Sequence, residues 1–216
     1  MLIAGIDEAG RGPCLGPLVM AITTVEKKDE EKFIEIGVKD SKELSPKDRE
    51  EKFLQIKKIA EETNFMPISA KEIDTLRERY SLNEIEAMHA AKLLNSLEKK
   101  PKIVYVDSPD TIMAEFGRRI EKYLTFKTKI ISEHKADANY PVVSAASIIA
   151  KVERDDEIKK IAEKFGPVGS GYPGDENTIK FLRKYFQENN IMPDIARMSW
   201  QTVKNLQDEK FQKKLF

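Results

Sequence analysis

Three carboxylates stand where apolar runs of this sequence give out, and a fourth stands just before a long helix. Ile3-Ala4-Gly5-Ile6 leads straight into Asp7-Glu8 and then Gly10-Arg11-Gly12, while Ile103-Val104-Tyr105-Val106 stops at Asp107. Asp137 precedes a long helical pattern whose early turns carry the small residues Ala145, Ala146, Ser147 and Ala150. A carboxylate is costly to bury unless it is paired or binds a cation, so acids at the mouths of apolar strands point to a hard metal ion held by oxygen. Two divalent ions about 3.5–4 Å apart stabilise both the attacking and the leaving oxygen of an in-line phosphoryl displacement. Three or four carboxylates hold such a pair without sulfur or imidazole. The composition fits: Cys14 is the single cysteine, and His89 and His134 are the two histidines, too few for a thiolate or His-rich zinc site. The plain alternative is a strand ending in an acidic, Gly-rich surface turn. Asp107 repeats the pattern of Asp7, and in open α/β sheets ligands gather beyond strand ends, so the two acids are expected to share a site with Asp137 as the third member.

One geometric difficulty is visible at once. Successive residues on a regular strand point to opposite faces, so Asp7 and Glu8 reach one site together only if the strand twists or ends there; otherwise Glu8 acts through its backbone carbonyl or through water. A dinucleotide site is the competing use of a strand that runs into glycines. The spacing of Gly10, Gly12 and Gly16 departs from that fingerprint, and two acids before the glycines repel a pyrophosphate.

The elements that must carry these residues alternate. After the opening strand, a turn-rich stretch through Gly16-Pro17 leads into a second strand over 18–25, so close in sequence that the two are expected to be antiparallel neighbours. Ser45-Pro46 with Asp48 reads as a capped helix start, with Phe53, Ile56 and Ile59 on one face. Phe65-Met66-Pro67-Ile68 reads as a short strand, at an edge because proline cannot donate to a ladder. A helix is expected from Ser81 to just before Pro101, a buried strand over 103–106, a helix over about 111–124, a strand over 127–132 and a long helix over 142–165. Gly166-Pro167 stops that helix, 169–174 is a rigid loop, Asp175 caps one more helix, and a final helical stretch follows Trp200. The alternation predicts an α/β fold with mixed strand directions.

At 216 residues the chain can bury a sizeable core in one domain, with a catalytic body over 1–165 and a helical C-terminal extension over 166–216. Lys+Arg and Asp+Glu both total 37, so no global basic field draws in nucleic acid, and any polyanion must be held by a local patch. The lone cysteine excludes internal disulfides and fits a reducing cytoplasm. The N-terminus lacks a basic segment followed by a long apolar run, and no stretch approaches membrane-spanning length, so a cytoplasmic protein without membrane contact is expected.

Taken together, several blocks resemble archaeal type 2 ribonuclease H, ribonuclease HII. They are Gly5-Ile6-Asp7-Glu8-Ala9-Gly10-Arg11-Gly12, Asp40-Ser41-Lys42, Val106-Asp107-Ser108-Pro109, His134-Lys135-Ala136-Asp137, Ala145 through Asp155, and Gly169-Ser170-Gly171-Tyr172. They cover nearly the whole chain in the family's order. The resemblance implies an RNase H-like mixed sheet flanked by helices, and endonucleolytic cleavage of the RNA strand of RNA/DNA hybrids and of single ribonucleotides embedded in duplex DNA. It implies two Mg²⁺ or Mn²⁺ ions on Asp7, Glu8, Asp107 and Asp137, and products with 5′-phosphate and 3′-hydroxyl ends. It places the 2′-hydroxyl reader on Gly10, Arg11 and Gly12 and the sensor of the RNA-to-DNA junction on Tyr172.

Elementary chemistry agrees with that assignment. The 2′-hydroxyl distinguishes RNA from DNA, and a glycine turn lets backbone groups approach it. Lys39, Lys42, Lys135, Lys151 and Arg154 supply a local phosphate patch, although Lys151 is also spaced as an ordinary surface pair with Asp155. Tyr172 either stacks on substrate or packs over its own turn. His134 either handles protons or sits in a solvated loop, and Arg197 with Trp200 either touches the duplex or belongs to the core, as a lone Trp usually does. The tail Gln212-Lys213-Lys214-Leu215-Phe216 partly resembles a sliding-clamp-binding peptide, but it stops short of the usual aromatic pair and fits an amphipathic helix end better. A monomer is expected. Two other functions remain open: a DNA-directed nuclease of the same superfold, and a hybrid-binding module without catalysis.

Overall fold

The computed structural model describes residues 1–38 and 44–212. Among them, five strands form one mixed sheet: β1 (Leu2–Ala9), β2 (Leu18–Glu26), β3 (Glu62–Ile68), β4 (Ile103–Asp107) and β5 (Lys129–Glu133). The order is β3-β2-β1-β4-β5, so β1 is central and proline-containing β3 is at an edge, as its missing N–H requires. β1 runs antiparallel to β2 and parallel to β4, and β4 runs parallel to β5. A parallel neighbour needs a long crossover, which the helices between β3 and β4 and between β4 and β5 provide.

The helices are α1 (Glu31–Glu35), α2 (Pro46–Ile59), α3 (Ala70–Arg77), α4 (Leu82–Ser96), α5 (Met113–Glu121), α6 (Ala136–Asn139), α7 (Pro141–Phe165), α8 (Glu176–Asn189) and α9 (Gln201–Gln212). Side-chain caps set several starts: Ser45 accepts from the Asp48 amide, Ser81 from Glu84 and Asp175 from Asn177. Three helices were not expected. Ser69 caps α3 by accepting from the Glu72 amide, and α1 and α6 span only five and four residues, too few to show a period.

Two compact units are drawn from discontinuous segments. The first comprises Met1–Ala9, Val19–Met66 and Ser81–Glu153; the second comprises Gly10–Leu18, Pro67–Tyr80 and Arg154–Phe216. The second begins its C-terminal part at Arg154, twelve residues before the expected 166–216 extension, and adds two earlier segments. In the first unit, Ile3 and Ala9 of β1 pack with Val142, Val143, Ile148, Ile149 and Val152 of α7. Gly5 lies between them on the same face, and a Cβ there would come within 2.3 Å of the Val142 carbonyl oxygen, so glycine at this strand position is required for the helix to approach. In the second unit, Cys14 and Leu15 share a core with Val168, Leu182, Phe186, Val203 and Leu206. Among the described residues no helix is long and apolar enough to cross a membrane.

Candidate active site

Asp7 is set by the sheet. Residues Ile3, Gly5, Asp7 and Ala9 share one face of β1, the face that α7 covers, so the spacing that buries Ile3 and Ala9 also buries the Asp7 carboxylate, which is 6% exposed. Ser147 of α7, one of the small residues of its early turns, hydrogen-bonds Asp7, and the Glu8 amide donates to Asp7 Oδ1 at 2.8 Å. Asp107 comes to the same place through register. β1 and β4 are parallel with Ile6 opposite Val106, so one residue further on Asp7 and Asp107 stand on neighbouring strands and the same face, about 5 Å apart in backbone terms.

Asp137 is brought in by a capping contact. The Ala136 amide at the start of α6 donates to Asp107 Oδ1 at 2.8 Å, which fastens the loop carrying Asp137 to the end of β4. Lys135, just before, adopts a left-handed conformation with φ of 55° to make that turn. Ser144 of α7 donates to the Asp137 backbone carbonyl. A second tie runs through His134, whose Nε2 is 2.7 Å from the Asp110 carbonyl oxygen. Asp110 is itself held by Arg119 (Nε to Oδ2, 2.9 Å) and Asn83, and Arg119 also reaches Glu84 at 2.7 Å. Sequence reasoning missed Ser147, Asp110 and Arg119 as supports; no local pattern marks them, because each acts on a residue of another element.

Electrostatically, the three aspartates know of one another. The Asp7 carboxyl is pushed up from 3.8 to about 6, first by burial, which Ser147 and the Glu8 amide partly offset, and further by the charges of Asp107 and Asp137. Among the described residues no three Asp, Glu, His or Cys side chains are closed around one point as an ion cage. The donor set is nevertheless all oxygen, buried at Asp7 and mutually repelling, and a hard divalent cation fits it. Glu8 stands apart: β1 keeps its regular pairing through Ala9, so the Glu8 side chain leaves the sheet on the face opposite Asp7.

The residues expected to read the substrate lie in the second unit. Gly10 has φ of +89°, and a Cβ there would meet the Arg154 side chain at 2.2 Å. Arg154 is buried, donates to the Ser170 carbonyl at 3.1 Å and lies under the Tyr172 ring, 5.4 Å from its centre. Its guanidinium thus supports the Tyr172 loop, and burial lowers its pKa. Tyr172 itself is 45% exposed and approaches Gly12, where a Cβ would sit 3.7 Å from the ring. The loop below it is fastened by Asp175, which accepts from the Ser170 amide and hydroxyl and is held down to about 2 by those bonds, the amide first. Arg11 is half-buried and Gly12 exposed. Arg197 is fully buried, in the core rather than on a duplex-facing surface. Lys151 is half-buried on α7 and Lys135 exposed, whereas Lys39 and Lys42, with the rest of Asp40-Ser41-Lys42, and tail residues 213–216 lie outside the described residues.

A mixed five-stranded sheet with aspartates on matching steps of its central parallel pair, joined to a helical C-terminal region, defines an RNase H-like nuclease. The family model of ribonuclease HII matches residues 4–203, and the chain belongs to that family. Ribonuclease HII of Pyrococcus furiosus is 49% identical over 208 residues, which is 96% of this chain and 92% of that protein. The crystal structure of ribonuclease H2 from Pyrococcus horikoshii OT3 superposes with a TM-score of 0.92 at 44% identity, covering 99% and 100% of the two chains. The ribonuclease HII in a PCNA:RNase HII complex from Archaeoglobus fulgidus gives a TM-score of 0.85 at 41% identity, covering 93% and 96%. The chain is accordingly an endoribonuclease, a hydrolase acting on the RNA of RNA/DNA hybrids, from a family that depends on divalent metal.

Proposed function

We propose that Asp7, Asp107 and Asp137 form the metal-holding catalytic centre, with Glu8 contributing through its backbone carbonyl or through water, and that the enzyme cuts both hybrid RNA and single ribonucleotides embedded in duplex DNA. The observation that carries this is the pairing of Asp7 with Asp107 on matching steps of β1 and β4, together with the raised Asp7 pKa. When bound, two Mg²⁺ or Mn²⁺ ions supply the positive charge that an in-line phosphodiester hydrolysis needs at its attacking and leaving oxygens. The chain's own residues fix the geometry: Ser147 orients Asp7, and the Ala136 amide orients Asp107. Hydrolysis at the 3′-oxygen side of the phosphate leaves 5′-phosphate and 3′-hydroxyl ends.

Selection is assigned to Gly10, Arg11 and Gly12 at the ribose 2′-hydroxyl, and to Tyr172 at the base or sugar of the junction. Lys39, Lys42, Lys135 and Lys151 meet phosphates, with Arg154 contributing from beneath Tyr172. The protein acts as a cytoplasmic monomer. A sliding clamp is a second proposed partner, supported by the complex that the A. fulgidus relative forms; binding of the full chain to a clamp, lost on removing 213–216, checks it.

The deciding assay compares an all-DNA duplex, the same duplex with one ribonucleotide, and an RNA/DNA hybrid, each with and without Mg²⁺ or Mn²⁺. Metal-dependent cutting of the second and third but not the first is expected. Cutting of the all-DNA duplex makes the protein a DNA-directed nuclease, and binding without product makes it a hybrid-binding module.

A further inference from the structure

We propose that Arg197 and Trp200 are positioning residues for ribose recognition, holding the carbonyls of Gly10, Arg11 and Gly12 so that the turn meets the substrate in one conformation. This rests on the assignment of that turn as the reader of the 2′-hydroxyl.

All three carbonyls of the turn accept from the same four-residue segment. Arg197 Nη2 donates to Gly10 O at 2.7 Å and Nη1 to Arg11 O at 3.2 Å, while Trp200 Nε1 donates to Gly12 O at 3.3 Å. The third arm of the guanidinium, Nε, closes the far side of the loop by donating to Gly16 O at 2.9 Å. The planar fork of an arginine offers such donors in a fixed arrangement, which a lysine cannot reproduce. In a trans peptide the N–H lies opposite the C=O, so fixing the Gly10 and Arg11 carbonyls on one side directs the Arg11 and Gly12 amides to the other, and Gly12 is exposed there. Donors fixed in advance lose less entropy when they meet a hydroxyl.

The clamp is itself built to stay put. The Trp200 ring lies 4.8 Å from the Arg197 guanidinium and 5.4 Å from that of Arg77. Asp74 accepts from the amides of Met198 and Ser199, at 2.6 and 2.9 Å, and from the Ser199 hydroxyl at 2.6 Å, and the Arg197 amide donates to Cys14 O at 2.9 Å. Burial brings the guanidinium down to about 10, so it stays charged at neutral pH. The segment takes a carbonyl from every residue of the turn.

Trp200→Phe keeps a ring beside Arg197, deletes the donor to Gly12 and gives up a small part of the indole's packing on Arg77 and the second-unit core. The expected result is a roughly 3- to 10-fold fall in kcat/KM on a duplex with one ribonucleotide, with affinity for the all-DNA duplex unchanged and the melting temperature lowered by no more than about 2–4 °C, the worth of one hydrogen bond. Arg197→Lys should lose more of the preference for ribonucleotide over deoxyribonucleotide duplex; should it fail to fold, Trp200→Phe decides alone. Gly12→Ala, whose Cβ meets nothing closer than the Tyr172 ring, tests the turn itself and should cut cleavage sharply. If Gly12→Ala loses activity while Trp200→Phe keeps wild-type kcat/KM and preference, the positioning role is overturned and the turn assignment stands. If neither variant changes anything, the assignment of the turn falls. Equal weakening of all-DNA and ribonucleotide duplex binding by Trp200→Phe also overturns the role, since a merely structural contact does that.

Discussion

Asp7 and Asp107 occupy matching steps of two parallel neighbouring strands, each one residue beyond the paired Ile6 and Val106. Side chains at matching steps share a face, so the hydrogen-bonding register of the sheet places one carboxylate beside the other without help from any loop. Asp137 joins them because Asp107 also accepts from the first amide of α6.

Replacing Asp107 with Asn should abolish most cleavage, on the order of 100-fold or more, while leaving the fold intact. The carboxamide oxygen can still accept from the Ala136 amide, and no core volume is lost. Single-turnover cleavage of a hybrid, with a melting curve alongside, checks this; a wild-type rate would remove Asp107 from the centre.

A carboxyl raised from 3.8 to about 6 binds its proton more tightly in the folded state. Its contribution to stability is therefore fully present below about pH 4 and is lost as pH rises through about 6, a difference worth at most about 3 kcal/mol. Metal-free protein should lose stability over that window relative to Asp7→Asn, and Mg²⁺ or Mn²⁺ at pH 7 should restore it in the wild type only. Denaturant unfolding in chelator at several pH values measures it, and parallel pH profiles for the two proteins would contradict it.

Gly5→Ala should cost about 2–3 kcal/mol, because the new methyl meets the backbone of Val142 rather than a side chain that can move. Cleavage should fall with it, since Ser147 and Asp7 belong to the same helix–strand contact. Gly174→Ala, where a Cβ meets nothing within 4 Å, is the matched control and should melt as the wild type does.

Tyr172→Ala should lower kcat/KM on a single-ribonucleotide duplex by about 10- to 100-fold, the usual worth of an aromatic stacked on a base or sugar. Tyr172→Phe should keep most of it. The side chain is half in solvent, so the melting temperature should move little; a large drop would make Tyr172 a packing residue of its own loop.

The elements with local signals were legible in the amino-acid order. Ser45, Ser81 and Asp175 announce helices because a hydroxyl or carboxylate at that position accepts from amides two or three residues on. α3 carries the same signal in Ser69 and Glu72, with Ala70 and Ile73 buried on one face, but its eight residues span barely two turns, too short for a period to stand out. The expected antiparallel pairing of the first two strands follows from a short connection, which leaves no room for a crossover. The order β3-β2-β1-β4-β5 had no such local source, and neither did the inward turn of Arg154, expected as part of a phosphate patch, nor the choice of core over duplex for Arg197.

By itself, the sequence determined which groups exist to do chemistry: acids at the ends of apolar strands, a glycine turn after the first of them, and no sulfur or imidazole set to compete for a metal. Those are properties of residue type and neighbouring positions, and they survive without coordinates. The tertiary structure alone decided which acids meet, that Glu8 leaves on the other face, and that an arginine 187 residues from Gly10 holds its carbonyl. Register, strand order and buried polar contacts join residues distant in the chain, and such joins are settled by packing and by the cost of leaving a buried polar group unpaired, which no local stretch of sequence records.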